Sequence, residues 1–108
     1  MVGPLQKWVS THGVTVLLAR TDWEVLEDVF SWGYSRGLVL ANSSVTDPKS
    51  NATIGACNGQ MTDLQFDAVD VGVEVQATDP YGVFFSNLNL ANAGCWQVPP
   101  LGCTGVGV

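Results

Sequence analysis

One six-residue pattern occurs three times in this 108-residue chain. In each copy an apolar residue stands first, Asp or Asn stands third, and a second apolar residue stands fourth. The copies are Leu26–Ser31, Met61–Phe66 and Phe85–Leu90. A pattern that returns with its polar position intact predicts one structural unit used repeatedly, because stacked units must present matching faces to one another.

The spacing between these copies and nearby glycines also recurs. Nine residues separate Asp28 from Gly37 and Asp63 from Gly72. Fifteen residues separate Gly13 from Asp28 and Gly72 from Asn87. Nine plus fifteen gives a unit of 24 residues, and the longer interval of 35 between Asp28 and Asp63 predicts an insertion of about eleven residues at about 41–51. An insertion that leaves the flanking register unchanged is typical of a surface loop on a repeat protein.

Short segments with alternating apolar residues follow each of the glycines, as in a strand that buries one face. They are Gly13–Val16, Gly37–Leu40 and Gly72–Val75. Within the six-residue pattern the alternation slips by one residue at the Asp or Asn, which predicts a corner with the apolar side chains kept inside. Because every unit has this polar residue, we expect Asp28, Asp63 and Asn87 to form a structural ladder of hydrogen-bonded corners.

The order of strand, polar corner, strand, bend and glycine predicts an all-β fold, a right-handed single-stranded parallel β-helix of about three coils. Equivalent residues of successive coils then stack in inward ladders. The predicted ladders are Leu26/Met61/Phe85, Val29/Leu64/Leu88 and Val14/Leu38/Val73. A small antiparallel β-sandwich is the alternative, since short strands and Gly-rich turns suit it as well.

We interpret residues 1–108 as a single β-helix segment, with repeat coils over about 13–94 and an irregular tail at 95–108. Val2–Val9 is interpreted as the tail of an earlier coil, so we expect a fragment of a longer solenoid or a subunit completed by oligomerisation. Cys57 is expected in the core. Cys95 and Cys103 are close enough in sequence to close a small loop in an oxidising compartment.

The charge balance disfavours two classes of partner. The net charge is −6, from ten acidic and four basic residues. Nucleic acids and anionic membrane surfaces attract clustered Lys and Arg, whereas the basic residues here are scattered at Lys7, Arg20, Arg36 and Lys49. No apolar run approaches the roughly 20 residues of a membrane span, and no secretion signal is visible in Met1–Arg20.

The repeats at Leu26–Ser31 and Met61–Phe66, each followed by a Gly-Val/Leu strand, resemble the parallel β-helix repeats of the pectate lyase superfamily. The resemblance covers about Gly13 to Gly94. It implies an extracellular or cell-surface protein with a polysaccharide partner on an outer strand face. It implies a polysaccharide lyase or glycoside hydrolase, or a non-catalytic binding or tailspike segment that trimerises, and the fold does not choose between them.

Catalytic residues are sought where the repeats differ. Asp67 and Asp70 align with Trp32 and Ser35 of the preceding unit, which would place two carboxyl groups beside an indole. Glycoside hydrolysis uses two carboxyl groups, and aromatic planes suit the apolar faces of sugars. We therefore predict Asp67 and Asp70 as catalytic residues, with Arg36 as their ion partner or as a lyase base, and Trp32 as a substrate-binding residue.

No cofactor or metal is predicted. A calcium ion takes six to eight oxygen ligands. Asp67, Asp70 and Glu74 offer three carboxylates, but no calcium-binding motif is present.

Overall fold

The computed structural model describes residues 3–42, 46, 48–51 and 57–91, and these are all-β apart from one helix. The elements are α1 (Pro4–His12), β1 (Val14–Leu18), β2 (Thr21–Trp32), β3 (Arg36–Leu40), β4 (Cys57–Asp67), β5 (Val71–Val75) and β6 (Val83–Ala91). Short and long strands alternate along the chain. We call the pairs β1–β2, β3–β4 and β5–β6 the first, second and third units.

The strands form two three-stranded parallel sheets. Sheet I has the order β1-β3-β5, and sheet II has the order β2-β4-β6. Successive strands along the chain therefore alternate between the two sheets. Each strand from β1 to β4 pairs with the strand two further on. Since every pairing among the described strands is parallel, the antiparallel sandwich alternative is wrong for this part of the chain.

The register of sheet II confirms two of the predicted ladders. Leu26 pairs with Met61 and Met61 with Phe85, while Val29 pairs with Leu64 and Leu64 with Leu88. The repeated pattern fixes this register because a shift by one residue would turn every apolar side chain outward.

The third predicted ladder is wrong by two residues. Val16 pairs with Leu38, and Leu38 pairs with Val73, while Val14 lies opposite Arg36. The prediction began its count at Gly13, but Gly13 is the C-cap of α1 and donates its N–H to the Val9 carbonyl. The fifteen-residue interval from Gly13 to Asp28 is thus not a repeat interval.

The polar residue of each pattern adopts a left-handed conformation. The φ angles are 55° at Asp28, 56° at Asp63 and 59° at Asn87. Asp and Asn adopt this region more readily than other residues with a β-carbon, because their short side chains bond locally. The Asn87 side-chain amide donates to the Asp63 carboxylate at 2.6 Å, so the predicted hydrogen-bonded corner is confirmed between the second and third units.

The core is centred on the second unit. Leu38, Met61, Leu64 and Phe66 are at most 1% exposed, whereas the ladder neighbours of Met61 and Leu64 in the first and third units are half-buried or exposed. Cys57 is fully buried, as predicted. Each inward side chain of the second unit has a neighbour above and below it, which explains why this unit is the most deeply buried.

The N-terminal segment differs from its prediction. Residues 4–12 form α1, which begins with Pro4 at its first turn, rather than the tail of an earlier coil. Proline suits the first turn of a helix because its missing N–H has no partner there in any case. None of the α1 residues is buried, and Gln6 donates to the Gly33 carbonyl at 3.0 Å.

Two further predictions fall wholly or partly outside the described residues. The predicted insertion lies in the connection from β3 to β4, residues 41–56, of which only part is described. The tail 95–108, with Cys95 and Cys103, lies beyond the last described residue, Ala91.

Candidate functional site

Exposed aromatic side chains lie on the outer surface of sheet II, on both sides of the corner at Asp28, and on the turn before β6; we call this surface the aromatic face. Its large apolar members are Trp23, Val25, Phe30, Trp32, Tyr81 and Phe84. Their exposure ranges from 45% at Trp32 to 69% at Trp23 and Tyr81. A surface that concentrates exposed aromatic residues indicates an interaction site, because single exposed apolar residues elsewhere on a protein are ordinary.

Trp23 owes its position to an irregularity in the sheet. The pairing of β2 with β4 shifts between Thr21 and Glu24, which pair with Cys57 and Gly59. Two residues, Asp22 and Trp23, therefore lie opposite one, and an extra residue of this kind redirects a side chain. Trp23 has a φ of 55°, a conformation that is costly for a bulky residue.

A polar network holds this strained tryptophan. The Trp23 N–H donates to the Asn58 side-chain oxygen, and the Asn58 amide donates to the Asp79 carboxylate. The other oxygen of Asp79 accepts the Tyr81 N–H at 2.8 Å. Asn58 is only 2% exposed, so the network is anchored in the interior while the two rings it positions face outward.

The positioned rings form a pair. The centroids of Trp23 and Tyr81 are 5.6 Å apart, and their planes are tilted by 39°. This separation lies in the range at which aromatic rings attract one another. Val25 and Phe84 lie on the same face, one on each side of Gln60 in the ladder Val25/Gln60/Phe84.

Gly59 is required by the backbone at this position. Its φ is 150°, and a β-carbon there would lie 2.2 Å from the Glu24 carbonyl oxygen. Only glycine fits such an approach, since any side chain would push β2 away.

A second group of aromatic residues lies beyond the corner. Phe30 pairs with Gln65 and Trp32 with Asp67 across β2 and β4. The predicted alignment of Trp32 with Asp67 is therefore present in the structure. Beside it is a groove of about 210 Å³, lined by Asp63, Leu64, Gln65, Asn87 and Asn89. Carboxylate and amide groups at such a groove accept and donate hydrogen bonds, as sugar hydroxyls require.

The predicted acids lie in different environments. Asp67 ends β4 on the outer face beside Trp32, whereas Asp70 lies in the following bend, where its N–H donates to the Ser35 carbonyl at 3.0 Å. The Asp70 Oδ1 is buried and has no hydrogen-bond partner within the described part of the chain. Burial raises the pKa of Asp70 above its usual value because the charged form loses hydration.

Arg36 is paired with Glu74. Its guanidinium donates to the Glu74 carboxylate at 2.8 Å, and both side chains are about one-third exposed. The guanidinium of Arg36 thus has Glu74 as an ion partner. The pair also occupies one of the three carboxylates considered for calcium.

A buried polar group lies behind the aromatic face. The hydroxyl of Thr21 is buried without a hydrogen-bond partner among the described residues, and the carboxylate of Glu24 is buried beside the Cys57 thiol. Burial, together with the negative charge of Glu24, raises the pKa of Cys57 to about 11. At neutral pH this thiol is protonated, which makes Cys57 a core residue rather than a nucleophile.

No group of three or more His, Cys, Asp or Glu comes together as a metal site within the described ranges. Nor does any helix in them have the length and apolar character needed to cross a membrane. The three strands of sheet II, which are described throughout, contain no Lys or Arg. The aromatic face is therefore uncharged or negative along its length.

Comparison of the chain with protein-family models, with curated proteins and with solved structures gave no match. The resemblance to pectate lyase repeats stays a prediction, and the function must be argued from the site itself.

Sequence analysis predicted Trp32 as a binding residue but did not identify Trp23 as one. The signal it lacked was the irregular pairing of β2 with β4, because the extra residue before Glu24 becomes visible only when the strands are aligned in space. The role of Asn58 and Asp79 was missed for the same reason, since they are 21 residues apart.

Proposed function

We propose that this chain is a carbohydrate-binding segment and that its aromatic face binds an extended, uncharged polysaccharide. The observation that carries the proposal is the Trp23–Tyr81 pair, which the buried Asn58–Asp79 network holds outward at a strained backbone position. Strain of this kind persists only where the surrounding structure enforces it, and it concentrates at functional sites.

The shape of the face supports an extended ligand. Trp23 and Trp32 lie nine residues apart on β2, one on each side of the left-handed corner at Asp28. The two groups therefore offer flat apolar ring surfaces on both sides of a bend. A polymer that lies along the strand would contact both aromatic groups, whereas a small molecule would contact one.

The charge of the face supports an uncharged ligand. Strands β2 and β4 carry Asp and Glu, sheet II has no basic side chain, and the nearby Arg20 is paired with Asp22, so the charge of the face disfavours an acidic polysaccharide. The exposed amides of Gln60, Gln65 and Asn89 suit hydroxyl groups instead. A polysaccharide partner also fits an extracellular or cell-surface location, which we include in the proposal.

We further propose that the two sheets are two faces of a right-handed parallel β-helix, with the three units as its coils. Support comes from the alternation of strands between the sheets, the uniform parallel pairing and the stacked left-handed corners. A second bend repeats as well, since Gly33 and Ala68 have φ angles of 76° and 53°. An experimental structure with left-handed winding would contradict this proposal.

Hydrolysis of the bound polysaccharide is a second candidate. Asp70, whose pKa is raised by burial, has the character of a proton donor, and Asp67 lies three residues away beside Trp32. Pairs of carboxyl groups in unlike environments supply the acid and the base of glycoside hydrolysis. Binding alone is favoured, because the strained aromatic pair is far along the strand from these acids.

Binding is tested by affinity electrophoresis and fluorescence titration against uncharged polysaccharides, with an acidic polysaccharide as comparison. Trp23→Ala and Tyr81→Ala should each weaken binding about tenfold, which corresponds to about 1.4 kcal/mol for a central aromatic contact. Trp8→Ala is the matched control, because Trp8 is 57% exposed but lies on α1 and stacks on His12.

Asn58→Ala tests the positioning network separately. It should weaken binding as Trp23→Ala does while leaving both rings in the chain. Equal binding by Trp23→Ala and wild type, or tighter binding of the acidic polymer, would contradict the proposal. Hydrolysis is tested by measuring the reducing ends released from the same polysaccharides. If hydrolysis occurs, Asp67→Asn and Asp70→Asn should each abolish it.

A further inference from the structure

The two ends of each sheet have free edges in the described part of the chain. In sheet II the outer strands are β2 and β6, and in sheet I they are β1 and β5. Each of these strands bonds to a single described neighbour on its inner side. An exposed strand edge is a template for pairing with another strand.

The inward apolar side chains of sheet II are incompletely buried at both ends of the sheet. In the ladder Leu26/Met61/Phe85, Met61 is fully buried while Phe85 is 39% exposed and Leu26 is half-buried. The ladder Val29/Leu64/Leu88 shows the same difference, with Leu64 buried and its two neighbours half-buried. A further unit stacked on either end would bury apolar surface that is exposed in one copy.

The two ends match each other because they carry the same repeated pattern. If β6 of one copy lay beside β2 of a second copy in the register of sheet II, Phe85 would face Leu26 and Leu88 would face Val29. These are the pairings that Met61 and Leu64 already make in the interior.

The corner residues distinguish this arrangement from the stacking of like ends. Asn87 at one end donates to Asp63 through its side-chain amide, which carries a second N–H. That N–H can donate to Asp28 at the other end of a second copy. Two like ends stacked at β2 would instead place Asp28 near Asp28, and like charges directly opposite one another are destabilising.

We propose that the partner of these edges is a second copy of this chain, stacked head to tail with β6 of one copy against β2 of the next. Such a contact uses two different surfaces, so it extends into a linear stack rather than closing at a dimer. The proposal does not depend on the carbohydrate function.

The full chain is tested by analytical ultracentrifugation over a range of concentrations. The average mass of the wild type should rise with concentration above the 11.5 kDa of one chain. Leu26→Lys places a charge at one end and Phe85→Lys places one at the other, and each variant alone should remain monomeric. An equal mixture of the two should form a 1:1 dimer and nothing larger, because one intact end of each kind remains.

Gln60→Lys is the matched control, since Gln60 is exposed on the middle strand and its substitution should leave assembly unchanged. Circular dichroism establishes that each variant is folded. If Leu26→Lys or Phe85→Lys unfolds, the variants Asp28→Cys and Asn87→Cys replace them, in a background of Cys95→Ser and Cys103→Ser that leaves the buried Cys57 as the other cysteine. Cross-linking should then require both variants in one mixture.

A monomeric wild type at every concentration would overturn the proposal. So would dimers of Phe85→Lys alone, or cross-linking of Asp28→Cys to itself, because either result would show that like ends associate.

Discussion

At the scale of the residue, the corner positions combine two requirements. Each needs a left-handed backbone, and each lies beside the equivalent corner of the neighbouring unit. Asn87 and Asp63 satisfy both through their hydrogen bond. Asp28 and Asp63, in contrast, place two carboxylates on adjacent strands, about 4.8 Å apart at the backbone.

Asp28→Asn should stabilise the protein by about 0.5 kcal/mol. Asparagine adopts the left-handed region as well as aspartate does, and its amide can donate to Asp63 where a like charge now lies. Asp28→Ala should destabilise by about 1 kcal/mol, because alanine adopts this conformation at a cost. Urea unfolding of the three proteins measures both changes, and equal losses in the two variants would refute the corner interpretation.

Asp70 gives the protein a specific pH dependence. Because burial raises the pKa of Asp70 above its usual 3.8, the folded state holds the proton more tightly than the unfolded state does. Its contribution to stability is thus fully present below pH 3.8 and is lost as the pH rises through the folded-state pKa.

Asp70→Asn removes this titration. Near pH 7 the variant should be more stable than the wild type by roughly 0.5 to 1 kcal/mol, the order of cost for a partly desolvated carboxylate. The difference should shrink towards zero at about pH 3. Unfolding free energies measured from pH 3 to 7 provide the test, and a difference independent of pH would show that the side-chain environment, not ionisation, is responsible.

At the scale of the element, the glycines of sheet I allow the short strands to pack against the long ones. A β-carbon on Gly37 would lie 2.5 Å from the Gly72 carbonyl oxygen and 2.5 Å from Cγ of Phe66. Phe66 is fully buried and has little room to move. The glycine that marks the start of the strand pattern in the sequence is therefore a packing requirement between β3, β5 and β4.

Gly37→Ala should destabilise the protein by about 2 to 3 kcal/mol, the usual cost of overpacking a well-packed core. In a Phe66→Ala background the loss caused by Gly37→Ala should be smaller by about 1 kcal/mol, because the colliding Cγ and Cδ2 atoms of Phe66 are then absent. Thermal and urea unfolding of the single and double variants measure this coupling. Gly3→Ala is the control, since nothing lies within 4 Å of a β-carbon there. Strictly additive losses from the two core substitutions would contradict the close approach of Gly37 to Phe66.

At the scale of the whole molecule, three units provide one fully enclosed layer. The second unit is the most deeply buried because it has neighbours on both sides, whereas among the described strands each outer unit has a neighbour on one side. Stability in such an architecture grows with each interface between units. The partial burial of the outer units and the aromatic face thus have different origins. The partial burial arises from the small number of described units. The aromatic face arises from outward side chains, which can vary without disturbing the repeat.

The sequence by itself determined the repeat, the inward ladders of sheet II and the polar corners. These follow from local periodicity, in which one slip at Asp28, Asp63 or Asn87 fixes which side chains face inward. It also predicted Trp32 beside Asp67, because that alignment needs only the repeat length.

Only the tertiary structure decided the helix α1, the true alignment of β1, and the aromatic pair. Gly13 has the same spacing as a repeat glycine but ends a helix, and spacing alone does not distinguish the two roles. Trp23 meets Tyr81 through an extra residue in β2 and through the Asn58–Asp79 bond, contacts between segments distant in sequence. The sequence repeat determines which residues stack on one another, whereas irregular pairing between strands determines which side chains are exposed on the outer face.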